Sequence, residues 1–404
     1  GHPGVEATVT TQNGAKGIAV ATAGTSVGKH EAKFAQGGDK RWGQLGVYSA
    51  VDNVNQIIGP AIMGMDATNQ LAVDDVIIKL DGTPDKSKLG ANATAAVSAA
   101  VLKAAAASLD IPLYQHIGGV HACVLPTPGV LTFLGSRKYG GGERSGVKPS
   151  YSAICYGFDT FSEASFAAWR INDEFRRMIL DRYNVDSRPG HYLMVSPGHV
   201  KHDRELWDLM VETVEKLGYA GRVGFQVDVA AATYYRPEKD RFVGLFSEGD
   251  KTRDELIALY RDMVKNYPFV ILEDPLDEDD YEGHAILTRE LGIQVVGDDL
   301  FTTNPVRVQK GIDAHAGNAV LLKVNQVGTI TESFDMVELA YRHGYGVMPC
   351  DSRGEGVAIA DYAVGLKTGH LREGAIGPVG NRLLQIEAEL GSRAVFLGRK
   401  GFKP

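Results

Sequence analysis

The second half of the chain carries five short apolar runs, VGFQVDV, FVILED, IQVVGDD, AVLLKVN and YGVMPCD. They are separated by amphipathic stretches such as KTRDELIALYRDMVKNY, YEGHAILTREL and TESFDMVELAYRHG. Short apolar runs suit buried strands, and the stretches between them repeat apolar residues at helical spacing. Strand followed by helix, sustained over this length, calls for parallel strands joined by crossover helices. Two architectures meet that demand, a (β/α) barrel and a doubly wound sheet.

Each run ends on an ionisable residue: Asp228, Glu273, Asp298, Lys323 and Asp351. Most successive steps are about 25 to 28 residues, close to one strand-loop-helix unit, and the first is nearly twice that. In a barrel these residues surround one mouth, where such folds keep their chemistry, whereas a doubly wound sheet spreads them along an edge. The pattern favours the barrel.

A chain of 404 residues exceeds one ordinary core. Its texture changes near residue 119. Before that point VEATVTT and KGIAVATA alternate like a hairpin around the Asn-Gly of QNGAK, and AVDNVNQIIGPAIMG and NATAAVSAAVLKAAAASL read as helices. The second helix is so rich in Ala that it must pack closely against a neighbour. Residues 1–118 are therefore expected to form an α+β domain, with the barrel in residues 119–404 beginning at the linker-like HIGGVHACVLPTPGV.

A net charge of −8 and a pI near 5.8, with no long Lys/Arg run, argue against nucleic acid or an anionic membrane as partner. The three cysteines, Cys123, Cys155 and Cys350, match no metal spacing and are too few for a disulfide scaffold. No apolar run approaches membrane-spanning length, and the opening GHPGVEATVTT lacks the layout of a signal peptide. A cytoplasmic protein acting on a small molecule is expected.

Three carboxylates gathered at one mouth would raise one another's pKa values unless a cation joined them. Asp228, Glu273 and Asp298 form an all-oxygen set that suits Mg²⁺ better than Zn²⁺; read singly, each is equally a helix cap or loop residue. Lys323 ends an apolar strand beside them. Desolvation and the nearby ion would lower its pKa and leave a neutral amine able to remove a proton next to a metal-bound carboxylate. The competing reading is a structural ion pair with Asp298 or Asp299.

ILEDPLDEDD, VVGDDLFTTNP and LLKVNQVGTITES resemble the signature segments of the enolase family, whose glycolytic members dehydrate 2-phosphoglycerate. DGTPDKSKLGANA and GTSVGKHEA resemble its amino-terminal domain, NRLLQIEAELG its last helix, and GHPGVEATV its early Arg-Gly-Asn-Pro-Thr-Val segment, with a short stretch absent before it. The resemblance covers nearly the whole chain. It implies an α/β fold, a TIM-type (β/α)8 barrel under an amino-terminal α+β cap, with Mg²⁺ on Asp228, Glu273 and Asp298 and with Lys323 as base. It also implies a homodimer or higher homo-oligomer, and matches Ser26 to a mobile loop that closes over the substrate and reaches a second Mg²⁺.

The chain departs from the family at several places. Where enolases read Ser-His-Arg-Ser-Gly-Glu-Thr this chain has CDSRGEG, so Asp351 replaces a substrate-facing His and the phosphate-binding Arg-Ser pair becomes Ser352-Arg353, or Arg353 shifts by one. The general acid falls on Tyr192, its partner Glu on Ser150, and a second active-site Lys on Arg372. YGGGERSGVKPS replaces the loop carrying another His. Arg372 offers a planar fork for a carboxylate or phosphonate. Loss of the dehydration acid with the metal set and base retained suggests a phosphorylated or phosphonate three-carbon acid handled as its enolate. By analogy with an enolase-like relative, the specific reaction expected is carboxyphosphonoenolpyruvate synthesis in phosphonate pathways, a transferase-like step. The alternatives are glycolytic dehydration and a non-catalytic scaffold, the latter disfavoured because converging buried charges serve no scaffold.

Other residues carry humbler readings. His30 reads as a loop residue, Cys350 as buried packing, Tyr192 as a space filler as readily as a proton donor, and PLDEDDYEG as a solvated acidic loop.

Overall fold

The computed structural model describes residues 3–24, 27–37, 42–135, 139–142, 144–183, 193–195 and 198–402. Strands β1 (Gly4–Thr10) and β2 (Lys16–Thr22) form the expected antiparallel hairpin. Its turn closes through Gly14 at φ 88° and through Asn13, whose Oδ1 accepts from the Thr11 hydroxyl at 2.6 Å. The apolar stretch after it does not make one helix. It runs α1 (Tyr48–Asn53), a widened turn at Val54–Ile58, and α2 (Gly59–Ile62). Pro60 explains the widening, because a proline lacks the N–H for the regular ladder and its ring crowds the carbonyl one turn back. Helix α3 (Gln70–Asp81) starts on an Asn69 cap and stops at left-handed Gly82.

Helix α4 (Ala91–Ser108) is the Ala-rich segment, and it lies directly on β2. A Cβ placed on Gly17 would fall 2.0 Å from the Ala100 carbonyl oxygen, so the two backbones touch and only small residues fit between them. The close packing read from composition is present. Helix α5 (Leu113–Gly118) completes this half.

Strand β3 (Val124–Leu125) leads into β4 (Thr127–Leu134), β5 (Ser150–Cys155), helices α6 (Phe161–Tyr183) and α7 (Arg204–Lys216), and β6 (Val223–Asp228). A small hairpin, β7 (Tyr235–Arg236) with β8 (Arg241–Phe242), precedes α8 (Arg253–Asn266) and accounts for the long first step between strand ends. Regular alternation follows: β9 (Phe269–Glu273), α9 (Tyr281–Leu291), β10 (Gln294–Gly297), α10 (Pro305–Ala314), β11 (Ala319–Leu322) and α11 (Ile330–Arg342). It continues through β12 (Gly346–Pro349), α12 (Ala358–Gly365), β13 (His370–Leu371), α13 (Gly377–Leu390) and β14 (Val395–Phe396), which pairs with β3.

Eight of these strands form one sheet in the order β12-β11-β10-β9-β6-β5-β4-β13. The Arg372 N–H donates to the Pro349 carbonyl at 3.3 Å and draws its two ends together, giving the expected barrel. One strand breaks the expected parallel rule: β5 is antiparallel to both β4 and β6. Among the described residues the chain returns from β4 to β5 with no crossover helix, and neighbours joined that way run in opposite directions. Consequently the start of β5 lies at the same rim as the ends of β6 and β9, with Ser150 opposite Asp228 and Asp228 beside Glu273.

Aromatic and aliphatic side chains fill the space between sheet and helices, with Trp207, Phe225 and Phe269 at its centre. A second apolar cluster runs unbroken from the hairpin through α4 to α12 and α13, so cap and barrel share a core. Among the described residues no single helix is long and apolar enough to cross a membrane.

His370 on β13 gives a pH-dependent contribution to stability. Burial, against the edge of Phe402, pushes its pKa down to about 4 from 6.5. The native ring stays neutral where the unfolded one takes a proton, so stability present above pH 6.5 is lost as pH falls toward 4, by on the order of 3 kcal/mol. His370→Leu should flatten that part of the acid limb in urea midpoints measured from pH 7.5 to 4.5; parallel curves for the two proteins would refute it.

Candidate active site

Asp228 and Glu273 are the last residues of β6 and β9, while Asp298 and Lys323 directly follow β10 and β11. All four are buried. The barrel therefore places four of the five strand-end residues at one rim. The Lys323 Nζ donates to Asp298 Oδ2 at 2.5 Å, and Gln326 Nε2 donates to Asp298 Oδ1 at 2.7 Å. Gln226 Nε2 donates to Glu273 Oε2 at 3.0 Å. Arg372, just past β13, spans the rim: its Nε lies 3.1 Å from Glu273 Oε2, and its terminal nitrogens reach Asp228, the Ser150 hydroxyl (3.2 Å) and Cys350 Sγ (3.5 Å).

Lys148, two residues before β5, forms a second ion pair with Asp228 and is buried. Nothing in the sequence reading marked it, because β5 was not recognised as a strand starting at this rim. Burial and the neighbouring Arg372 pull its pKa down to about 8.

Burial alone would also depress Lys323, but the touching Asp298 carboxylate outweighs it and the pKa is raised. The depression expected of Lys323 belongs to a lysine beside a bound cation; here the direct contact with Asp298 sets the direction. Asp298 shows the converse. Burial opposes its ionisation, yet Lys323 and Arg353 hold it below the usual carboxylate range. Asp274 and Asp299 are pushed well above that range, mainly by burial and then by their acidic neighbours.

Glu273, Asp274 and Asp298 each present a carboxylate oxygen within 4.8 Å of the others, and all three are buried. Glu273 Oε1 has no hydrogen-bond partner. An orphaned buried carboxylate oxygen in an all-oxygen cluster fits a hard divalent cation. Asp274 also accepts backbone N–H bonds from Asp298 (3.1 Å), Asp299 (2.8 Å) and Leu300 (3.4 Å), which braces the cluster. The expected ligand Asp228 is not in that group, whose third member is Asp274; it neighbours Glu273 on the strand register and is held by Lys148 and Arg372.

The remaining candidates separate. Asp351 follows β12, half-buried, with a carboxyl raised by burial despite Arg372, and with Glu373 lines a cavity of about 660 Å³ between β4, α6 and the start of α13. Arg353 makes a buried two-pronged ion pair with Glu31 of the cap at 2.6 and 2.5 Å, so the guanidinium expected to meet a substrate anion meets a carboxylate of its own chain. Cys350 is buried in the barrel interior, as read. Ser26 and Tyr192 lie outside the described residues.

The acidic loop after Glu273 is not simply solvated. Asp279 pairs with Lys29 and, at 2.8 Å, with His30 Nε2, while Glu278 accepts from the Lys29 N–H at 2.9 Å. The loop therefore clasps the cap segment that follows Ser26.

The barrel mouth thus offers a braced, all-oxygen cluster that could hold a divalent cation, with a lysine on one of its carboxylates. The family description "Enolase, C-terminal TIM barrel domain" matches residues 150–404, and "Enolase, N-terminal domain" matches residues 1–117. The chain is 42% identical to the enolase of Methanocaldococcus jannaschii over 404 residues, covering 97% of this chain and 92% of that one. It is 42% identical to the enolase of Methanopyrus kandleri over 422 residues (100% and 96%) and 40% identical to that of Pyrococcus furiosus over 419 residues (99% and 94%). The chain belongs to the enolase family.

Proposed function

We propose that this chain is a Mg²⁺-dependent lyase that removes the α-proton of a phosphorylated three-carbon acid, with 2-phosphoglycerate as substrate. The observation that carries the reading is Lys323 on Asp298 beside the braced Glu273–Asp274–Asp298 cluster. Full-length likeness to proteins named enolase favours dehydration over carboxyphosphonoenolpyruvate synthesis.

Asp228, Glu273 and Asp298 would hold the ion, which supplies positive field for the charge that develops on the substrate carboxylate. Lys323 takes the α-proton on Nζ once its bond to Asp298 is relaxed. Arg372 presents its fork to a substrate oxyanion. Departure of hydroxide needs an acid. Asp351 and Glu373, whose carboxyls burial raises despite Arg372 beside them, are the candidate donors.

Carboxyphosphonoenolpyruvate synthesis is a second reading. It is favoured by the rim cations Lys148 and Arg372, which suit a further anionic group. An ultraviolet assay for phosphoenolpyruvate formation from 2-phosphoglycerate in excess Mg²⁺ separates the two. Turnover supports dehydration. Absence of turnover with Mg²⁺-dependent phosphoenolpyruvate binding favours the second reading, and absence of both overturns the assignment.

A further inference from the structure

The proton transfer just described does not use Lys148. Its backbone is nevertheless fixed. The Lys148 N–H donates to the Ser145 carbonyl at 3.1 Å, and its carbonyl accepts from the buried Tyr234 hydroxyl at 2.6 Å. A Cβ on Gly135 would stand 2.6 Å from that same carbonyl oxygen, so the neighbouring backbone presses on it as well. The buried ammonium is thereby delivered to Asp228, which Arg372 already holds.

Charge balance gives this placement a consequence. Lys148, Arg372 and Lys323 face Asp228, Glu273 and Asp298, while Arg353 is matched by Glu31. Each of these cations is thus paired with a carboxylate of the chain. A divalent ion that takes Asp228 leaves the buried Lys148 ammonium without its partner, which is costly at low dielectric unless an anion takes that place. The ion thus competes with Lys148 for Asp228. A lysine ammonium on a four-carbon stem can turn away while its backbone stays put.

We infer that Lys148 is a substrate-anion ligand that Asp228 holds until a divalent ion takes that carboxylate, an inference that rests on Asp228 being a metal ligand in the function proposed above. Lys148 is then the element through which ion and anion favour each other's binding, and linkage makes the effect reciprocal.

Two variants test it by calorimetric titration, with far-ultraviolet dichroism as the check on folding. In Lys148→Met, Mg²⁺ alone should bind on the order of tenfold tighter than in the wild type, because its competitor is gone, and phosphoenolpyruvate in saturating Mg²⁺ should bind on the order of tenfold weaker. In Asp228→Asn, phosphoenolpyruvate without Mg²⁺ should bind more tightly than to the wild type, because Lys148 is released. Unchanged or weaker Mg²⁺ binding in folded Lys148→Met overturns the inference. If that variant does not fold, Asp228→Asn decides, and no gain in binding overturns it. Failure of the wild type to bind phosphoenolpyruvate with Mg²⁺ would instead refute the proposed function, while the Mg²⁺-only titrations still decide the competition.

Discussion

Lys323→Ala should lower kcat for phosphoenolpyruvate formation by about 10²- to 10⁴-fold, the usual range for a positioned general base. Lys323 contacts the acidic cluster directly, donating to Asp298 at 2.5 Å. The raised pKa in that contact keeps the ammonium charged. Base activity therefore requires that the bond to Asp298 weaken when a cation shares the carboxylate, which ties the lysine's chemistry to metal loading. The variant should still bind phosphoenolpyruvate in Mg²⁺ with an affinity within a few-fold of the wild type, because Arg372 and the carboxylates remain. A large fall in kcat with binding retained is the signature of an interaction made in the transition state. Equal losses in kcat and binding would show that Lys323 only holds Asp298 in place. Lys323→Arg adds a control: it keeps the ion pair but not a neutral amine, so activity should not return.

The strand-end pattern made much of this site legible. Asp228, Glu273, Asp298 and Lys323 each terminate an apolar run, and parallel strands in a barrel allow those ends only one common place. Arg372 was legible only through resemblance, because β13 is two residues long and leaves no periodicity to read. Lys148 escaped for a topological reason. SYSAIC follows β4 without an intervening helix, so nothing local indicates that β5 runs backwards and begins at the mouth. The Lys323 contact with Asp298, which sets the direction of the lysine's shift here, is likewise a long-range pairing that the strand-end pattern leaves open between base and ion pair. Glu31 escaped because its partner lies 322 residues away in the chain, a contact that no window of sequence contains.

That long-range pair carries the second large effect. Either Glu31→Met or Arg353→Met should cost about 3 to 5 kcal/mol, the range for a buried ion pair broken on one side. Both side chains are 2% exposed, so a charge left alone there has no water to turn to. Glu31 also accepts from the Gly28 N–H at 3.1 Å and lies 3.4 Å from Gln326 Nε2, while the Arg353 carbonyl accepts from the Thr22 N–H at 2.9 Å and from Asn325 Nδ2 at 3.2 Å. The pair therefore joins the cap segment before and after Ser26 to the loops following β11 and β12. Loss of either partner should open that seam first, seen as faster proteolysis within residues 27–34 and a lower urea midpoint. The double variant Glu31→Met/Arg353→Met removes both buried charges and should recover most of the single-variant loss. Recovery would mean that the pair specifies how the cap seats on the barrel more than it stabilises the fold; a double-variant loss as large as either single loss would mean that its attraction exceeds the desolvation of both groups, and additive losses would mean that the two side chains do not interact. Single variants within about 1 kcal/mol of the wild type would place the pair among solvated ones and refute the buried seam.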